Sequence, residues 1–452
     1  MRTLSENNNR ELEKSTKNLL ELMHDVLDRA KAQGATDAMV SINQDSGFSV
    51  DIRMGEVETV SFNEDKGVSL VVYIGQRKGA ASSTDTSSSA LDSLVNAACD
   101  IAKVSAEDPC FGLPDRELMT KTFPDLDLYH PWSITPSEAI EEALACESYA
   151  LSLDKRIVNS DGVNLSTHAF CNGFANTYGG EGIIRSTRHS LSCSLIAKQD
   201  ESMQRDYDYT TARYAEGLRA FKEVAKNTVE RTTSRLGANP IKTQRAPVLF
   251  SSRVSSGLLS SFINAISGGN LYRKNSFLLD SLQQQIFPKG FKIYEQPFLS
   301  RGLGSSPFDA EGVPTRNNIF IENGILQQYV LGCYSARRMG LKTTANSGGV
   351  HNLTIDATAG DLQDLIEQMD RGLLVTELMG QGVNGLTGDY SRGASGFWVE
   401  NGQIQYPVEE ITIAGNLKEM FKDIIAVGTD INPNISTHCG SILIKEMMIA
   451  GR

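Results

Sequence analysis

A short polar segment, Gly237-Ala238-Asn239-Pro240, separates two parts of the sequence that differ in pattern. Before it, helical segments alternate with blocks of strand-like sequence. After it, glycine becomes more frequent and Asn-Gly pairs lie between apolar runs. Polar segments with glycine and proline are typical of domain boundaries. We therefore predict two domains, residues 1–236 and residues 240–452.

The first part combines helical and strand-like patterns. Apolar residues recur at helical spacing in several segments. One helix begins with a capping-box sequence, Thr135-Pro136-Ser137-Glu138, in which threonine caps and glutamate reaches back to the threonine amide. The predicted helices are about 12–33, 88–104, 136–153 and 212–231. The predicted strands are 38–42, 48–54, 56–62 and 67–74, with a further strand-rich block at 156–210.

Turn signals connect these strands as hairpins. Residues 54–56 and residues 65–67 each contain a glycine between strand-like runs, which favours a tight turn. In the second part, Asn-Gly pairs at 323–324 and 401–402 are strong signals for type I′ hairpins. The predicted fold class is therefore α+β. A mixed domain of helices and antiparallel sheet precedes a β-rich domain with a few helices.

Charge and composition exclude several kinds of partner. The 452-residue chain has a formal net charge of −12 and no Lys/Arg cluster, so direct nucleic-acid binding is not expected. No apolar run approaches the roughly 18 residues of a membrane span, and the first 20 residues lack a signal-peptide pattern. Its seven cysteines form no C-x-x-C motif, which favours a reducing compartment. We expect a cytoplasmic protein without a membrane anchor.

The glycine motif at 380–385 fits G-x-G-x-x-G, and Glu400 follows at the distance of a dinucleotide fingerprint. That fingerprint requires a helix directly after the glycines. The sequence here predicts a loop and then a strand, so a close approach of two backbones is the better interpretation.

Histidine and cysteine patterns do not identify a catalytic site by themselves. No histidine pair has the H-E-x-x-H spacing of a metal site. His189 lies on a predicted strand, where a binding role and an ordinary hydrogen-bonded role are both open. His438 and Cys439 are adjacent, so on an extended chain they point to opposite faces.

One serine-rich segment follows a short apolar strand. Residues 251–256 read Ser-Ser-Arg-Val-Ser-Ser, at the predicted start of a helix with Val254, Leu258 and Phe262 on one face. Taken alone, the serines indicate helix capping and close packing.

Several longer runs strongly resemble the TldD/PmbA peptidase family. The clearest is GDYSRGASGFWVENG at 388–402, preceded by LMGQGV at 378–383. Further matching runs are 77–85, 186–192, 272–274 and 411–417. Together they extend from about residue 50 to the C-terminus, and they are more similar to the PmbA (TldE) branch than to the TldD branch.

The resemblance implies a degenerate metal site. The TldD branch carries an H-E-x-x-x-H zinc helix and a distal cysteine ligand. The corresponding positions here are Ser251, Ser252 and Ser256, with Cys439 retained. A serine hydroxyl is a poor zinc ligand and cannot replace a carboxylate as general base. No catalytic residue and no metal are therefore expected in this chain.

The same resemblance implies a complex in the cytoplasm. A TldD-type metallopeptidase subunit would supply the zinc, and the pair would degrade or process unfolded peptides, as in antitoxin degradation and removal of peptide-antibiotic leaders. A homodimer of the isolated chain is possible. Two alternatives stay open. One is an autonomous hydrolase with a different site, around His189, Asp389 or Cys439. The other is a regulatory binder of a DNA enzyme, such as a gyrase modulator.

Peptide could be held through backbone hydrogen bonds along the glycine-rich stretch Gly380–Gly396, where missing side chains let another chain approach. Asp389 and Arg392 flank the loop and would orient the peptide or the partner, or pair with each other. The candidate peptide-binding residues are Gly380, Gly382, Asp389, Arg392, Gly393 and His189.

Overall fold

A computed structural model describes the backbone of residues 4–451 and the side chains of residues 14–451. The helices are α1 (Leu4–Ala32), α2 (Ser88–Val104), α3 (Pro136–Leu153), α4 (Phe221–Ser234), α5 (Ser256–Ala265), α6 (Gly268–Tyr272), α7 (Cys333–Met339), α8 (Leu362–Met369) and α9 (Leu417–Lys422). The strands before residue 240 are β1 (Asp37–Arg53), β2 (Glu56–Ile74), β3 (Arg77–Ser83), β4 (Ile157–Asn176), β5 (Glu181–Gln199) and β6 (Ser202–Ala212). The later strands are β7 (Gln244–Phe250), β8 (Ile293–Glu295), β9 (Ile319–Glu322), β10 (Ile325–Leu326), β11 (Leu353–Ile355), β12 (Gly372–Met379), β13 (Asp389–Glu400), β14 (Gln403–Asn416), β15 (Ile424–Val427), β16 (Thr437–His438) and β17 (Ile442–Ala450).

The strands before residue 240 form one antiparallel sheet in the order β3-β2-β1-β4-β5-β6. Even-numbered apolar residues of β1 point to one face, because side chains alternate along a strand. Ala38, Val40 and Ile42 pack with α1 and α2 at one end of that face. Phe48, Val50 and Ile52 pack with α3 and α4 at the other end. The helices therefore cover one face of the sheet as two pairs.

The strands after residue 240 form two sheets around a large apolar core. One has the order β14-β13-β12-β7-β17-β15, and an additional β14–β17 pairing closes it on itself. The other has the order β10-β9-β8-β11-β16. Helix α5 packs into the core through Phe262, which contacts Phe287 and Phe421. The predicted α+β class, with helices on an antiparallel sheet followed by a β-rich part, is confirmed.

Local signals in the sequence correctly located several boundaries. Thr135 caps α3 and Glu138 accepts a hydrogen bond from the Thr135 amide, which completes the predicted capping box. The Asn-Gly hairpins also form as type I′ turns, because Asn323, Gly324, Asn401 and Gly402 all have positive φ.

The predicted turn at 65–67 and the predicted breaks within the first two strands were wrong, because pairing between β1 and β2 continues through these segments. Residues 65–67 do not form a turn but lie within β2, where they pair with residues 43–45 of β1. The predicted breaks at 43–47 and 63–66 are therefore absent, and each pair of short strands is one long strand. An uninterrupted partner strand stabilises the extended backbone through these glycine- and acid-containing segments.

Two helix starts also differ from the prediction. The helix predicted from residue 212 begins at Phe221, because β6 remains paired with β5 as far as Ala212. The helix predicted from Ser251 begins at Ser256, because the Ser251 amide still donates to Val375 of the neighbouring strand. At the other end of the chain, α1 begins at Leu4, earlier than the predicted residue 12.

Side chains from both parts hold the two parts together. Arg213 donates to the carbonyl oxygens of Gly302 and Leu303, and Arg337 donates to the carbonyl oxygen of Leu113. These contacts hold the end of β6 and the segment after α2 against the second part. The domain boundary near residues 236–240 stays a prediction. Within residues 4–451, no helix is both long and apolar enough to cross a membrane.

Candidate functional site

Residues 251–255 of the serine-rich segment form a turn between β7 and α5, which we call the serine turn. The Ser251 amide donates to the Val375 carbonyl oxygen at 3.0 Å, which extends the sheet by one residue. The Ser252 amide donates to Ser441 Oγ at 3.0 Å, which ties the turn to the segment that carries Cys439. The structure therefore brings three of the four positions of the degenerate zinc site, Ser251, Ser252 and Cys439, into one region, with Ser256 as the first residue of α5.

Cys439 lies fully buried at the centre of this region. Burial raises the pKa of its thiol to about 12; the nearby side chain of Ser255 opposes this rise, and the charge of Asp430 adds to it. The thiolate is the form that binds metals and attacks electrophiles. At neutral pH this buried thiol is protonated, so it is a poor nucleophile.

The serine hydroxyls around Cys439 do not supply zinc ligands either. Ser251 Oγ and Ser255 Oγ are buried and have no hydrogen-bond partner among the described residues. Zinc sites use thiolate, imidazole or carboxylate ligands, whereas the positions that resemble this site offer serine hydroxyls and one cysteine. Within residues 14–451, no group of three or more His, Cys, Asp or Glu side chains could hold a metal ion. The residues do not fit a catalytic zinc, and no step through a metal can be assigned to this chain.

An ion-pair network lies behind the turn. Arg253, from the middle of the serine segment, donates to both carboxylate oxygens of Asp206 at 2.6 and 3.2 Å. Arg235 also forms an ion pair with Asp206, at 3.4 Å, and a second ion pair with Glu377 on β12. Burial alone would raise the pKa of Asp206, but the hydrogen bonds and charge of Arg253 outweigh it, so the pKa is lowered. Asp206 therefore stays ionised and joins β6 to the serine turn.

A cavity of about 230 Å³ opens on the outer side of this network. Asp208 lies in its wall and forms ion pairs with Arg219 at 2.9 Å and Arg231 at 2.6 Å. The other lining residues are Tyr207, Tyr209, Ser252, Arg253 and residues 431–434. Ser252, the position that resembles the general base, thus faces a basic cavity rather than a metal site.

His189 is placed as a structural residue. It is buried, its Nε2 donates to the His130 carbonyl oxygen at 2.9 Å, and its Nδ1 accepts from Thr167 Oγ1 at 2.8 Å. Trp132 packs against the ring edge-to-face. Burial lowers the pKa of His189, so its ring stays neutral near pH 7. Both ring nitrogens are occupied, and neither is available to a peptide in this structure.

The glycine loop at 380–386 is largely exposed, but the backbone that lies close to its Gly382 belongs to the same chain, at Ser391. A Cβ at Gly382 would lie 1.5 Å from the Ser391 carbonyl oxygen, and the Ser391 amide donates to the Gly382 carbonyl oxygen. At Gly393, the nearest atom to an added Cβ would be 3.4 Å away, which is an ordinary contact. Gly380 is exposed and has a positive φ. Gly382 is therefore required by the loop itself, whereas Gly393 has room for a side chain.

Asp389 and Arg392 do not pair with each other. The Asp389 carboxylate accepts hydrogen bonds from Thr387 at 2.6 Å and from Asn416 at 3.1 Å. These two bonds lower the pKa of Asp389, Thr387 having the larger effect. Arg392 Nε is buried without a hydrogen-bond partner among the described residues. Asp389 closes the loop, and Arg392 stays a candidate for contact with peptide or partner.

Substitutions at these two glycines should separate loop structure from peptide contact. We expect Gly382→Ala to lower the free energy of unfolding by about 1–3 kcal/mol, because its Cβ overpacks against fixed backbone. Gly393→Ala should change it by less than about 0.5 kcal/mol. Urea unfolding of both variants checks this. Equal costs at the two positions would contradict the geometry.

Sequence reasoning missed the arginine cavity. A signal was present, because Asp206 and Asp208 alternate with Tyr207 and Tyr209 on β6 and so share one face. Two carboxylates on one face of a strand require cationic partners when that face is buried. The partners lie in α4, directly beside its two ends, and in the serine turn. Local sequence patterns did not reveal them, because they are distant from β6 along the chain.

Comparisons with known proteins agree with the resemblance of the longer sequence runs. Models of the PmbA/TldA metallopeptidase domain 1, central domain and C-terminal domain match residues 38–102, 129–236 and 243–451. The chain is 48% identical to the metalloprotease PmbA of Escherichia coli O157:H7, over 93% of this chain and 94% of that protein. It is 44% identical to the metalloprotease PmbA homolog of Haemophilus influenzae, over 99% of each.

Solved structures share the fold over nearly the whole chain. A candidate modulator of DNA gyrase from Bacteroides thetaiotaomicron is 29% identical and superposes with a TM-score of 0.90, covering 96% of this chain and 98% of that one. TldE from Thermococcus kodakarensis superposes with a TM-score of 0.84 at 20% identity, covering 95% of this chain and 100% of that one, which shows the fold alone.

Proposed function

Because this chain belongs to the PmbA/TldD metallopeptidase family, we propose that it is the subunit of a cytoplasmic two-subunit peptidase that carries no zinc of its own. The observation that supports this most is the donor set at the degenerate site. Ser251, Ser252 and Ser256 stand where the family resemblance places histidine, glutamate and histidine. The remaining Cys439 is buried, and one cysteine cannot hold a catalytic zinc alone.

The partner in this proposal is a TldD-type subunit that holds the zinc and activates the water. Peptide hydrolysis needs such an activated nucleophile, which the serine turn cannot generate. This chain would complete the chamber and bind unfolded peptide, including labile antitoxins or leader peptides of peptide antibiotics. Contacts through the exposed loop at 380–386, through Arg392 and through Gly393 would position the peptide or the partner.

An autonomous hydrolase is the second candidate, because the two relatives described above carry the name metalloprotease. The geometry argues against each residue considered for its active site. His189 is enclosed, Asp389 is engaged by Thr387 and Asn416, and Cys439 has no solvent access. The other alternative is a regulatory binder of a DNA enzyme. It would bind the enzyme without contacting DNA, because the net charge of −12 disfavours phosphate binding.

Reconstitution tests the proposal. We expect no cleavage of an unfolded, fluorogenic peptide by this chain alone, and cleavage when a TldD-type subunit from the same genome is added. The reason is that only the partner carries metal ligands of the required type. A chelator should abolish the activity of the mixture. The measurement is the initial rate for each subunit alone and for the mixture, with copurification to show the complex.

Metal analysis of the dialysed chain provides the control. We expect far less than one zinc per chain, with no change in Cys439→Ala. Chelator-insensitive cleavage by the isolated chain would favour the second candidate. Near-stoichiometric zinc that is lost in Cys439→Ala would refute the absence of a metal site.

A further inference from the structure

We propose that the cavity beside Ser252 binds the C-terminal residue of a peptide, with its carboxylate held by the free guanidinium donors of Arg231 and Arg219. The proposal rests on the proposed function only in taking a peptide as the ligand. The site itself is argued from charge, free donors, size and the shape of its walls.

The cavity wall has more positive than negative charge. Arg219, Arg231 and Arg253 line it together with a single carboxylate, Asp208. Asp206 lies behind the wall and is bound by Arg253 and Arg235. The exposed Glu223 contacts Arg219 at 3.2 Å without lining the cavity. Guanidiniums outnumber carboxylates three to one in the wall itself. With Asp206 and Glu223 included, three guanidiniums meet three carboxylates, so an added anion would bind through the free donors of the arginines.

The arginines retain unused hydrogen-bond donors. Arg231 uses Nη1 for Asp208 and the Tyr207 carbonyl oxygen, and its Nη2 and Nε have no acceptor among the described residues. Arg219 Nε is buried and likewise lacks a partner within residues 14–451. Burial lowers the pKa of Arg231, and the nearby charge of Arg253 adds to this effect. A planar carboxylate matches such donors in bidentate geometry, and its charge would offset the repulsion between the two arginines.

The size of the cavity limits the ligand to a small group. Its volume of about 230 Å³ is below the roughly 300–1,000 Å³ of typical small-molecule sites. One amino-acid residue with its carboxylate is a suitable occupant, whereas several residues of a peptide are not. The rest of the peptide would lie outside the cavity.

The walls favour a residue with an apolar side chain over inorganic phosphate. Ile431 and Pro433 line the cavity, together with Tyr207 and Tyr209, whose ring centroids stack at 6.2 Å. A carboxylate on the arginines would therefore place an adjoining side chain against apolar surface. Phosphate would use the arginines but gain nothing from Ile431 and Pro433.

Fluorescence anisotropy on the full-length purified chain tests the proposal. The probe is a short peptide that ends in leucine and is labelled at its N-terminus, compared with the same peptide amidated at its C-terminus. We expect the free carboxylate to bind about tenfold more tightly, because hydrogen bonds to charged groups contribute most. Arg231→Gln should remove that difference, since it deletes the free donors and one charge.

Matched variants exclude a general loss of structure. Arg245→Gln removes an exposed arginine on β7 that pairs with Glu446, away from the cavity, and should leave binding unchanged. Ile431→Asp places a negative charge at an exposed position of the wall and should also weaken binding of the carboxylate peptide. Thermal melts of each variant report folding.

Three outcomes would overturn the proposal. One is equal affinity for the carboxylate and amidated peptides. Another is wild-type binding by both Arg231→Gln and Ile431→Asp. The third is inorganic phosphate that binds as tightly as the carboxylate peptide and displaces it, which would identify a phosphate site. None of these measurements needs cleavage, so failure here is distinct from failure of reconstitution with the partner subunit.

Discussion

Asp206→Asn is expected to lower the free energy of unfolding by about 3–5 kcal/mol, the usual cost of removing one member of a buried ion pair. The amide keeps the size of the side chain but cannot neutralise Arg253 and Arg235, which both contact the carboxylate. The loss should also release the serine turn from β6. Urea unfolding at pH 7 measures the change.

The pH dependence identifies the charge as the cause. Because the pKa of Asp206 is lowered in the folded protein from its ordinary 3.8, the carboxylate contributes stability above about pH 4. That contribution is lost as the pH falls through the folded pKa. The difference between wild type and Asp206→Asn should therefore shrink below pH 4.

A surface pair supplies the comparison. Asp100→Asn removes an exposed partner of Lys103 and should cost less than about 1 kcal/mol. If Asp206→Asn costs no more than Asp100→Asn, the network does not anchor the turn.

Phe262→Ala is expected to cost about 3–5 kcal/mol, because it leaves a cavity in the core of the second part. Phe262 is fully buried and packs edge-to-face on Phe287 at 5.1 Å and on Phe421 at 6.0 Å. Aromatic pairs of this geometry add to the loss of buried area. Since Phe262 anchors α5, the serine turn should lose its order along with the helix.

The matched control lies on the same helix. Ser260 is exposed, and its hydroxyl donates to the Ser256 carbonyl oxygen, so Ser260→Ala should stay within about 0.5 kcal/mol of wild type. Thermal and urea unfolding of both variants give the comparison. A cost below about 1 kcal/mol for Phe262→Ala would show that the aromatic cluster is not a stabilising core.

Features that depend on neighbouring residues were predictable from the sequence. The capping box at Thr135 and the Asn-Gly turns at 323–324 and 401–402 formed as expected, because their hydrogen bonds and φ angles involve only a few adjacent residues. The α+β class followed from periodicity over short windows. The loss of zinc-ligand chemistry at Ser251, Ser252 and Ser256 also follows from residue type alone once the family resemblance aligns them.

Features that depend on distant partners required the tertiary structure. Residues 65–67 look like a turn, yet β1 keeps them extended. From the sequence, Gly382 could leave room for a bound peptide, yet the Ser391 carbonyl oxygen of the same chain occupies the space beside it. The basic cavity is lined by β6, α4, the serine turn and residues 431–434. The first and last of these segments are more than two hundred residues apart along the chain. Local sequence patterns carry no information about such contacts, because packing selects the partners only when the sheets and helices come together.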